Sequence, residues 1–162
     1  MSRARAAAGS ALFLVLAPGT MAVLVPYLLT GWDAADPSIA AQVAGAVLIA
    51  AGAAVLLDAF ARFALQGLGT PSPTTPTERL VITGPNRYVR NPMYLAVTAL
   101  ILGQWLLLGR PVLLAWAFVF LATTYAFVRG YEEPTLLAEY GEEYERYRAT
   151  VPGWWPRRIE KT

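Results

Sequence analysis

Four long apolar stretches without a single charged residue constrain the fold of this chain most strongly. They are residues 11–29, 39–57, 93–109 and 112–128. Each has about the 17 to 20 residues that a helix needs to cross a bilayer. None shows the polar face, recurring every 3.6 residues, that a soluble helix would carry. The sequence therefore predicts an all-α fold: a polytopic membrane helix bundle with four transmembrane helices.

Composition narrows the possible chemistry. Hydrophobic residues make up 56% of the 162 residues and charged residues 15%, against about a quarter charged in an average soluble domain. Cysteine and histidine are both absent, which excludes disulfides, thiol nucleophiles, imidazole bases and the metal sites that need them. Any catalysis by this chain must therefore use carboxylates, tyrosine, arginine, amides or a bound cofactor. No metal is expected.

The positions of the basic residues predict the orientation. All of them except Arg110 fall at one end of the four stretches. The loop after the first stretch, at the other end, carries two acidic residues, Asp33 and Asp36, and no basic residue. These basic residues are Arg3, Arg5, Arg62, Arg79, Arg87, Arg90, Arg129, Arg146, Arg148, Arg157, Arg158 and Lys161. Basic loops stay in the cytoplasm, so we expect both termini there. Because the arginines follow topology, nucleic-acid binding has little support.

Several local features refine the bundle. Pro18 and Pro26 predict a kinked first span whose freed carbonyls are bonded by neighbouring helices. The alanines and glycines of the second span favour close helix packing, and Asp58 and Arg62, four residues apart, are expected to pair. Residues 109–111 are too few to do anything but join an antiparallel hairpin. Residues 3–22 also resemble a signal peptide, but the apolar run continues to residue 29, so we expect no cleavage.

We expect one membrane domain over residues 1–162. Residues 1–66 hold spans one and two, 67–92 a cytoplasmic linker and an Arg-Asn-Pro motif, 93–128 a helical hairpin, and 129–162 a cytoplasmic Glu-Glu helix and tail. The linker opens with a Pro/Thr-rich piece that cannot be a regular helix. Pro92 fits the first turn of span three, with Asn91 as its N-cap, its side chain accepting a backbone N–H. Without further information this motif could be only a basic juxtamembrane anchor.

The segment after span four predicts an amphipathic interfacial helix. Pro134 suits the first turn of a new helix. Apolar and aromatic side chains then recur at helical spacing between charged ones: Leu136, Leu137, Tyr140, Tyr144 and Tyr147. Trp154 and Trp155 are typical interfacial anchors. A bland surface helix does not explain the adjacent Glu132 and Glu133, which anionic headgroups would repel.

Two linked motifs resemble a known family. The run GPNRYVRNPMY, a tight apolar hairpin, and then EEPTLLAEYGEEYERYRATVPGWWP resemble the isoprenylcysteine carboxyl methyltransferase and phospholipid methyltransferase superfamily of integral membrane enzymes. The resemblance covers about residues 67 to 156. Asn91 stands where the family most often has histidine, and Asn86 replaces a tyrosine. A mechanism that needs imidazole is therefore closed to this chain.

The resemblance implies S-adenosylmethionine as cofactor, held at the cytoplasmic mouth between the two motifs. By position it implies these cofactor-binding residues: Asn86, Tyr88, Arg90, Asn91, Pro92, Met93, Tyr94, Glu132, Glu133, Tyr144 and Tyr147. Either Glu132 or Glu133 would bind a ribose hydroxyl or the ammonium group. The candidate catalytic residues are Glu133, Arg129 and Tyr94.

The expected function is methyl transfer to a lipophilic or small acceptor at the membrane. In-line transfer from a sulfonium needs alignment more than acid/base machinery. A carboxylate acceptor would favour Arg129 in the site, an amine would need a base such as Glu133 or Tyr94, and a thiol stays open. The expected partners are the acceptor and membrane lipid. The alternative is a non-catalytic membrane module or partner subunit that retains the methyltransferase fold.

Overall fold

The computed structural model describes residues 3–67 and 80–156, which are helical and contain no β-strand. Their α-helices are α1 (Arg3–Leu16), α2 (Val25–Thr30), α3 (Ile39–Arg62), α4 (Pro92–Leu108), α5 (Pro111–Phe127), α6 (Glu133–Tyr140) and α7 (Glu142–Thr150). π-helical segments cover Thr20–Leu24, Phe63–Gly67 and Val128–Glu132, and a 3-10 turn covers Gly84–Arg87. The all-α prediction is confirmed. The Pro/Thr-rich linker and the last basic residues lie outside the described residues.

Three continuous helices are long and apolar enough to cross a bilayer. They are Ala7–Thr30, Ile39–Gln66 and Pro111–Tyr140, with 24, 28 and 30 residues. A crossing needs about 20 residues, so all three exceed it. The apolar α4 has 17 residues, which at about 1.5 Å per residue gives a length of about 25 Å. Length and composition therefore give three helices that can cross a membrane and a shorter fourth one beside them.

The end of the last long helix differs from the prediction. A new helix was expected near Pro134, but α5 continues through the π-helical segment Val128–Glu132 into α6 and ends only at Tyr140. The wider π-helical turn just before the proline accommodates its missing N–H without a break. The chain turns instead at Gly141, where φ is +52° and ψ is −126°, a conformation that only glycine adopts readily.

The predicted amphipathic helix is consequently divided in two. Its first part, with Leu136, Leu137 and Tyr140, extends the long helix, and its second part, with Tyr144 and Tyr147, forms α7. The single interfacial helix expected from the sequence is wrong in this respect. The turn at Gly141 has a functional consequence, because it lets α7 approach the beginning of α4.

Close packing of α3 against α4 forms the centre of the bundle. A Cβ atom built on Gly45 would lie 2.5 Å from the carbonyl oxygen of Gly103, and one on Gly52 would lie 2.9 Å from that of Ala96. These distances are shorter than any real Cβ contact, so the two backbones touch where side chains are missing. The close packing predicted for the second span is confirmed, and it is typical of membrane helices.

The first long helix is held to the hairpin by hydrogen bonds to its distorted middle. Pro26 lacks the N–H that would reach the carbonyl of Ala22 four residues back, or that of Met21 five residues back. Gln104 Nε2 donates to Ala22 O at 2.6 Å, and Trp116 Nε1 donates to Met21 O at 2.9 Å. The expectation that neighbouring helices bond the freed carbonyls is confirmed.

The hairpin of α4 and α5 brings the two polar motifs to one end of the molecule. Gly109 ends α4 with φ of +66°, and Pro111 begins α5, so the helices run antiparallel as predicted. The start of α4 and the far end of the long helix that begins with α5 therefore lie side by side. At the same end the expected pair of Asp58 and Arg62 forms, with Arg62 Nε 2.9 Å from Asp58 Oδ2.

Candidate active site

The turn before α4 is bound by the last described stretch of the chain, residues 151–156, which we call the C-terminal strap. The backbone N–H groups of Arg90 and Asn91 donate to the carbonyl oxygens of Pro152 and Gly153, at 2.9 and 3.2 Å. Asn91 occupies the N-cap position, and Pro92 lies in the first turn of α4, as predicted. The strap thus closes over the Arg-Asn-Pro motif.

The expected role of the Asn91 side chain is wrong. It makes no cap hydrogen bond to α4. Its Nδ2 donates instead to the carbonyl oxygen of Gly153 at 3.0 Å, and Asn91 is 7% exposed. The side-chain amide is thus a second donor to a carbonyl oxygen that already accepts the backbone N–H of Asn91, a role that an ionised carboxylate could not fill. The side chain therefore fastens the strap.

Trp154 of the strap is half-buried and packs against two tyrosine rings. Its ring centroid lies 6.2 Å from that of Tyr94 and 5.6 Å from that of Tyr125. The sequence indicated an interfacial anchor at both tryptophans, which stays a prediction; Trp155 is 77% exposed, whereas Trp154 contacts protein side chains. Tyr125 and Gly153 escaped the sequence reasoning. The Trp-Trp pair by itself does not indicate which of the two rings packs against the protein.

Glu133 is a buried carboxylate with two cationic neighbours. It is 6% exposed, and its Oε1 accepts a hydrogen bond of 2.9 Å from Arg90 Nη1. Arg129 Nη1 lies 3.6 Å from its Oε2. Because a buried charge is costly unless it is paired, the two arginines offset the cost of burying the Glu133 carboxylate. The expectation that the acids face the Arg-Asn-Pro turn is confirmed across 43 residues of sequence.

Glu132 has a different environment. Its Oε2 accepts a hydrogen bond of 2.8 Å from the hydroxyl of Tyr94, and it is only partly exposed. Among the side chains that the structure describes, in residues 7–66 and 80–156, none forms an ion pair with Glu132. The neighbouring acids thus divide into one that is neutralised by cations and one that is oriented by a tyrosine.

The two tyrosines of α7 attach that helix to the site. The hydroxyl of Tyr144 accepts a hydrogen bond of 3.1 Å from Arg90 Nη1. The hydroxyl of Tyr147 donates to the carbonyl oxygen of Asn86 at 2.7 Å, and Asn86 Nδ2 donates to Val81 O at 3.0 Å. Burial raises the pKa of both tyrosines, although Arg90 opposes the shift. They consequently stay protonated near neutral pH and act as hydrogen-bonding groups rather than bases.

Three of the residues expected at the cofactor have their described contacts with other parts of the protein. Tyr88 is 63% exposed and, with Pro92, lines a groove between α3 and α4. Met93 packs against the hydrophobic core. The structure therefore brings together Arg90, Tyr94, Glu132, Glu133 and Tyr144 directly. Asn86, Asn91, Arg129 and Tyr147 surround them, while Tyr88, Pro92 and Met93 face other directions.

The site has polar groups that the described residues leave unsatisfied. Arg90 Nε is buried and has no hydrogen-bond partner in this part of the chain, and no cation within it pairs with Glu132. A buried unpaired donor and a carboxylate without a counter-charge are both unfavourable unless a ligand completes them. A zwitterionic amino-acid group, such as that of S-adenosylmethionine, has the matching carboxylate and ammonium. Within the described ranges, no three His, Cys, Asp or Glu side chains could hold a metal ion.

Comparison with known families identifies the fold. A family model described as phospholipid methyltransferase matches residues 40–143, which is more than half of the chain. The chain belongs to the phospholipid methyltransferase family. This family is part of the superfamily that also contains the isoprenylcysteine carboxyl methyltransferases, so the resemblance in the sequence is confirmed.

The matched region contains both polar motifs of the candidate site as far as residue 143 but ends before the C-terminal strap. It includes α3, the Arg-Asn-Pro motif, both acids and the hairpin between them, whereas Tyr144 and the C-terminal strap follow it. No curated protein and no solved structure matches the chain. Members of such methyltransferase families generally use S-adenosylmethionine. Together with the three long apolar helices, the family identifies an integral membrane protein of methyltransferase type.

Proposed function

We propose that this protein is an S-adenosylmethionine-dependent methyltransferase acting at the membrane on a lipophilic or small acceptor. We also propose that it arranges its site in the manner of the isoprenylcysteine carboxyl methyltransferases. The observation that carries the proposal is the meeting of the two motifs. Arg90 contacts Glu133 at 2.9 Å, and Tyr94 contacts Glu132 at 2.8 Å.

The unsatisfied groups of the site support the choice of cofactor. Glu132 would bind the ammonium group, since it is the acid that no described cation neutralises. The Nε of Arg90, which has no hydrogen-bond partner among the described residues, would bind the carboxylate, because a guanidinium is suited to that partner. These assignments favour Glu132 over Glu133 as the acid that contacts the cofactor.

The remaining residues of the site would position these two groups. Both oxygens of Glu133 face arginines, so Glu133 holds Arg90 in place, and Tyr144 supports the same guanidinium from α7. Tyr94 orients Glu132, and Trp154 covers the ring of Tyr94. Asn86 and Asn91 fasten α7 and the strap around the cofactor. Tyr88, Pro92 and Met93 would shape the turn from its outer side.

Methyl transfer asks little acid/base chemistry of these residues. Bound S-adenosylmethionine would supply a methyl group on a sulfonium, whose carbon–sulfur bond breaks as a lone pair of the acceptor bonds to the carbon. The chain's part is to align the reactants and exclude water. Arg129, with 54% of its side chain exposed, would orient an anionic acceptor. For an amine acceptor, Glu133 or Tyr94 would take the proton that the product loses.

We further propose four membrane crossings with both termini in the cytoplasm. The basic residues at one end of the bundle support this orientation. In this arrangement α4 is the short third crossing, while α7 lies at the cytoplasmic interface. The site then opens to the water-soluble cofactor on one side and to lipid on the other. The family name supports a lipid acceptor, and a carboxylate, amine or thiol on it would each fit.

Calorimetry with the purified protein in nanodiscs tests the proposal. Wild-type protein should bind S-adenosylmethionine and its demethylated product. Glu132→Gln should weaken binding at least tenfold, about 1.4 kcal/mol. Glu139→Gln is the matched control, because Glu139 is exposed on the same helix, and it should bind like the wild type. Absence of binding to folded wild-type protein would refute the proposal, and equal binding by Glu132→Gln would refute the assignment of Glu132.

A further inference from the structure

A cavity lies outside the candidate active site, in the seam between α3 and α4. It has a volume of about 340 Å³ and is open on one side. Its lining is apolar apart from the Tyr88 hydroxyl and backbone groups. The lining residues are Ala51, Gly52, Val55, Pro85, Tyr88, Val89, Pro92, Leu95, Ala96, Ala99 and Pro156. We call it the α3–α4 groove.

The groove faces away from the acids. Pro92, Ala96 and Ala99 follow one another at helical spacing on one face of α4. Tyr94, which contacts Glu132, is two residues from Pro92 and therefore lies about 200° around the helix axis from it. The body of α4 thus separates the groove from the reacting groups, and a ligand in the groove would not be the methyl acceptor.

The groove cannot close by closer approach of the helices. At its floor, a Cβ built on Gly52 would lie 2.9 Å from the carbonyl oxygen of Ala96, so the backbones of α3 and α4 already touch. The 3-10 turn at Pro85 and the strap at Pro156 form its end wall. The volume is at the lower end of ligand pockets, enough for one chain of a lipid rather than a whole molecule.

The surroundings identify the occupant. One wall of the groove is formed by α3, which is part of an apolar helix of 28 residues that can cross a membrane. In a bilayer, the open side of the groove would therefore contact lipid acyl chains. Tyr88, at its rim, is 63% exposed, as expected of a tyrosine at the headgroup level. Arg87 lies between the lining residues Pro85 and Tyr88 and is exposed. No carboxylate of the described residues lies within ion-pair distance of Arg87.

We propose that the α3–α4 groove binds one acyl chain of an anionic phospholipid from the surrounding leaflet, with the phosphate group beside Arg87. The apolar cavity receives the chain. Arg87, which no carboxylate of the described residues neutralises, receives the negative charge. This lipid site is separate from the proposed methyl transfer. It needs only that the protein is in a membrane.

Photochemical labelling of the full chain tests the site. The protein is reconstituted in nanodiscs of phosphatidylcholine with a small fraction of phosphatidylglycerol that carries a diazirine in one acyl chain, and labelled peptides are identified by mass spectrometry. Labels should concentrate in residues 51–55 and 85–99. Ala51→Phe places a ring in the groove from an exposed wall position and should lower labelling of residues 85–99 at least fivefold.

Matched variants distinguish a site from general contact with lipid. Ala50→Phe adds the same ring at an exposed neighbour that does not line the groove, and it should leave labelling unchanged. Arg87→Gln should remove the preference for the phosphatidylglycerol probe over a phosphatidylcholine probe. Even labelling of all lipid-facing helices, equal loss in Ala50→Phe and Ala51→Phe, or equal labelling of wild-type protein by both probes would overturn the proposal. The readout is independent of cofactor binding and methyl transfer.

Discussion

The seam between α3 and α4 and the polar cluster at the start of α4 are stabilised in opposite ways. In the seam, Gly45, Gly52 and Gly103 have no side chains, and the backbones touch. In the cluster, Arg90, Glu133 and Tyr144 meet through charged and hydrogen-bonded side chains. The stability of the seam depends on the absence of side chains at its glycines, whereas the stability of the cluster depends on the pairing of charged side chains. The comparison teaches that this apolar bundle accommodates the buried charge of Glu133 where two arginines lie beside it.

Removing the charge of Glu133 should have the largest effect. Glu133→Gln leaves two arginines without their common carboxylate, and breaking a buried pair destabilises a protein by about 3 kcal/mol or more. Unfolding in mixed micelles measures this. Glu139→Gln, on the exposed face of α6, should change stability by less than about 0.5 kcal/mol. If Glu133→Gln were as stable as the wild type, the polar cluster would not depend on its charge pair.

Adding one carbon to the seam should have the next largest effect. In Gly45→Ala the new Cβ would lie 2.5 Å from Gly103 O and 2.7 Å from Leu107 N. Both are backbone atoms, so α3 and α4 must separate. Overpacking of this kind destabilises by about 2 kcal/mol, measured by the same unfolding experiment.

The control for the seam is Gly130→Ala. A Cβ on Gly130 meets no atom within 4 Å, and the residue is helical, so alanine should be neutral or slightly stabilising. Equal losses in the two variants would show that the backbones of α3 and α4 are not in contact in the membrane.

Loss of the strap's aromatic anchor should have the smallest effect on stability. Trp154→Ala removes a ring that packs against Tyr94 and Tyr125, and aromatic pairs contribute about 1 kcal/mol beyond burial. Because Tyr94 orients Glu132, the same variant should also weaken binding of S-adenosylmethionine several-fold. Trp155→Ala, at an exposed position, should change neither measurement. A Trp154→Ala protein with wild-type binding would exclude the strap from the site.

Much of the seam could be predicted from the sequence, because it depends on local composition. Uncharged stretches of sufficient length, alanines and glycines in the second span, and three residues between the last two spans suffice to predict apolar, closely packed helices. The partners of each glycine could not be predicted, since the register of two helices depends on all their side chains together. Gln104 and Trp116, which bond the carbonyls near Pro26, were missed for the same reason.

The polar cluster was predicted through its motifs and corrected in its details. The motifs placed Arg90 near the two acids, and the structure has that contact. The sequence could not decide which acid is neutralised, because Glu132 and Glu133 are neighbours of identical chemistry. Their environments differ only because one points to Arg90 and the other to Tyr94. The cap expected at Asn91 failed because the strap, 62 residues away, offers its side chain a carbonyl.

The sequence by itself determined the apolar helices, the absence of thiol and imidazole chemistry, and the family to which the motifs belong. These follow from residue type and spacing along the chain. Only the tertiary structure decided that α5 continues to Tyr140, that Gly141 turns α7 back onto Asn86, and that the strap covers the Arg-Asn-Pro turn. Each of these depends on contacts between residues far apart in sequence, whose free energies exist only once the helices have packed.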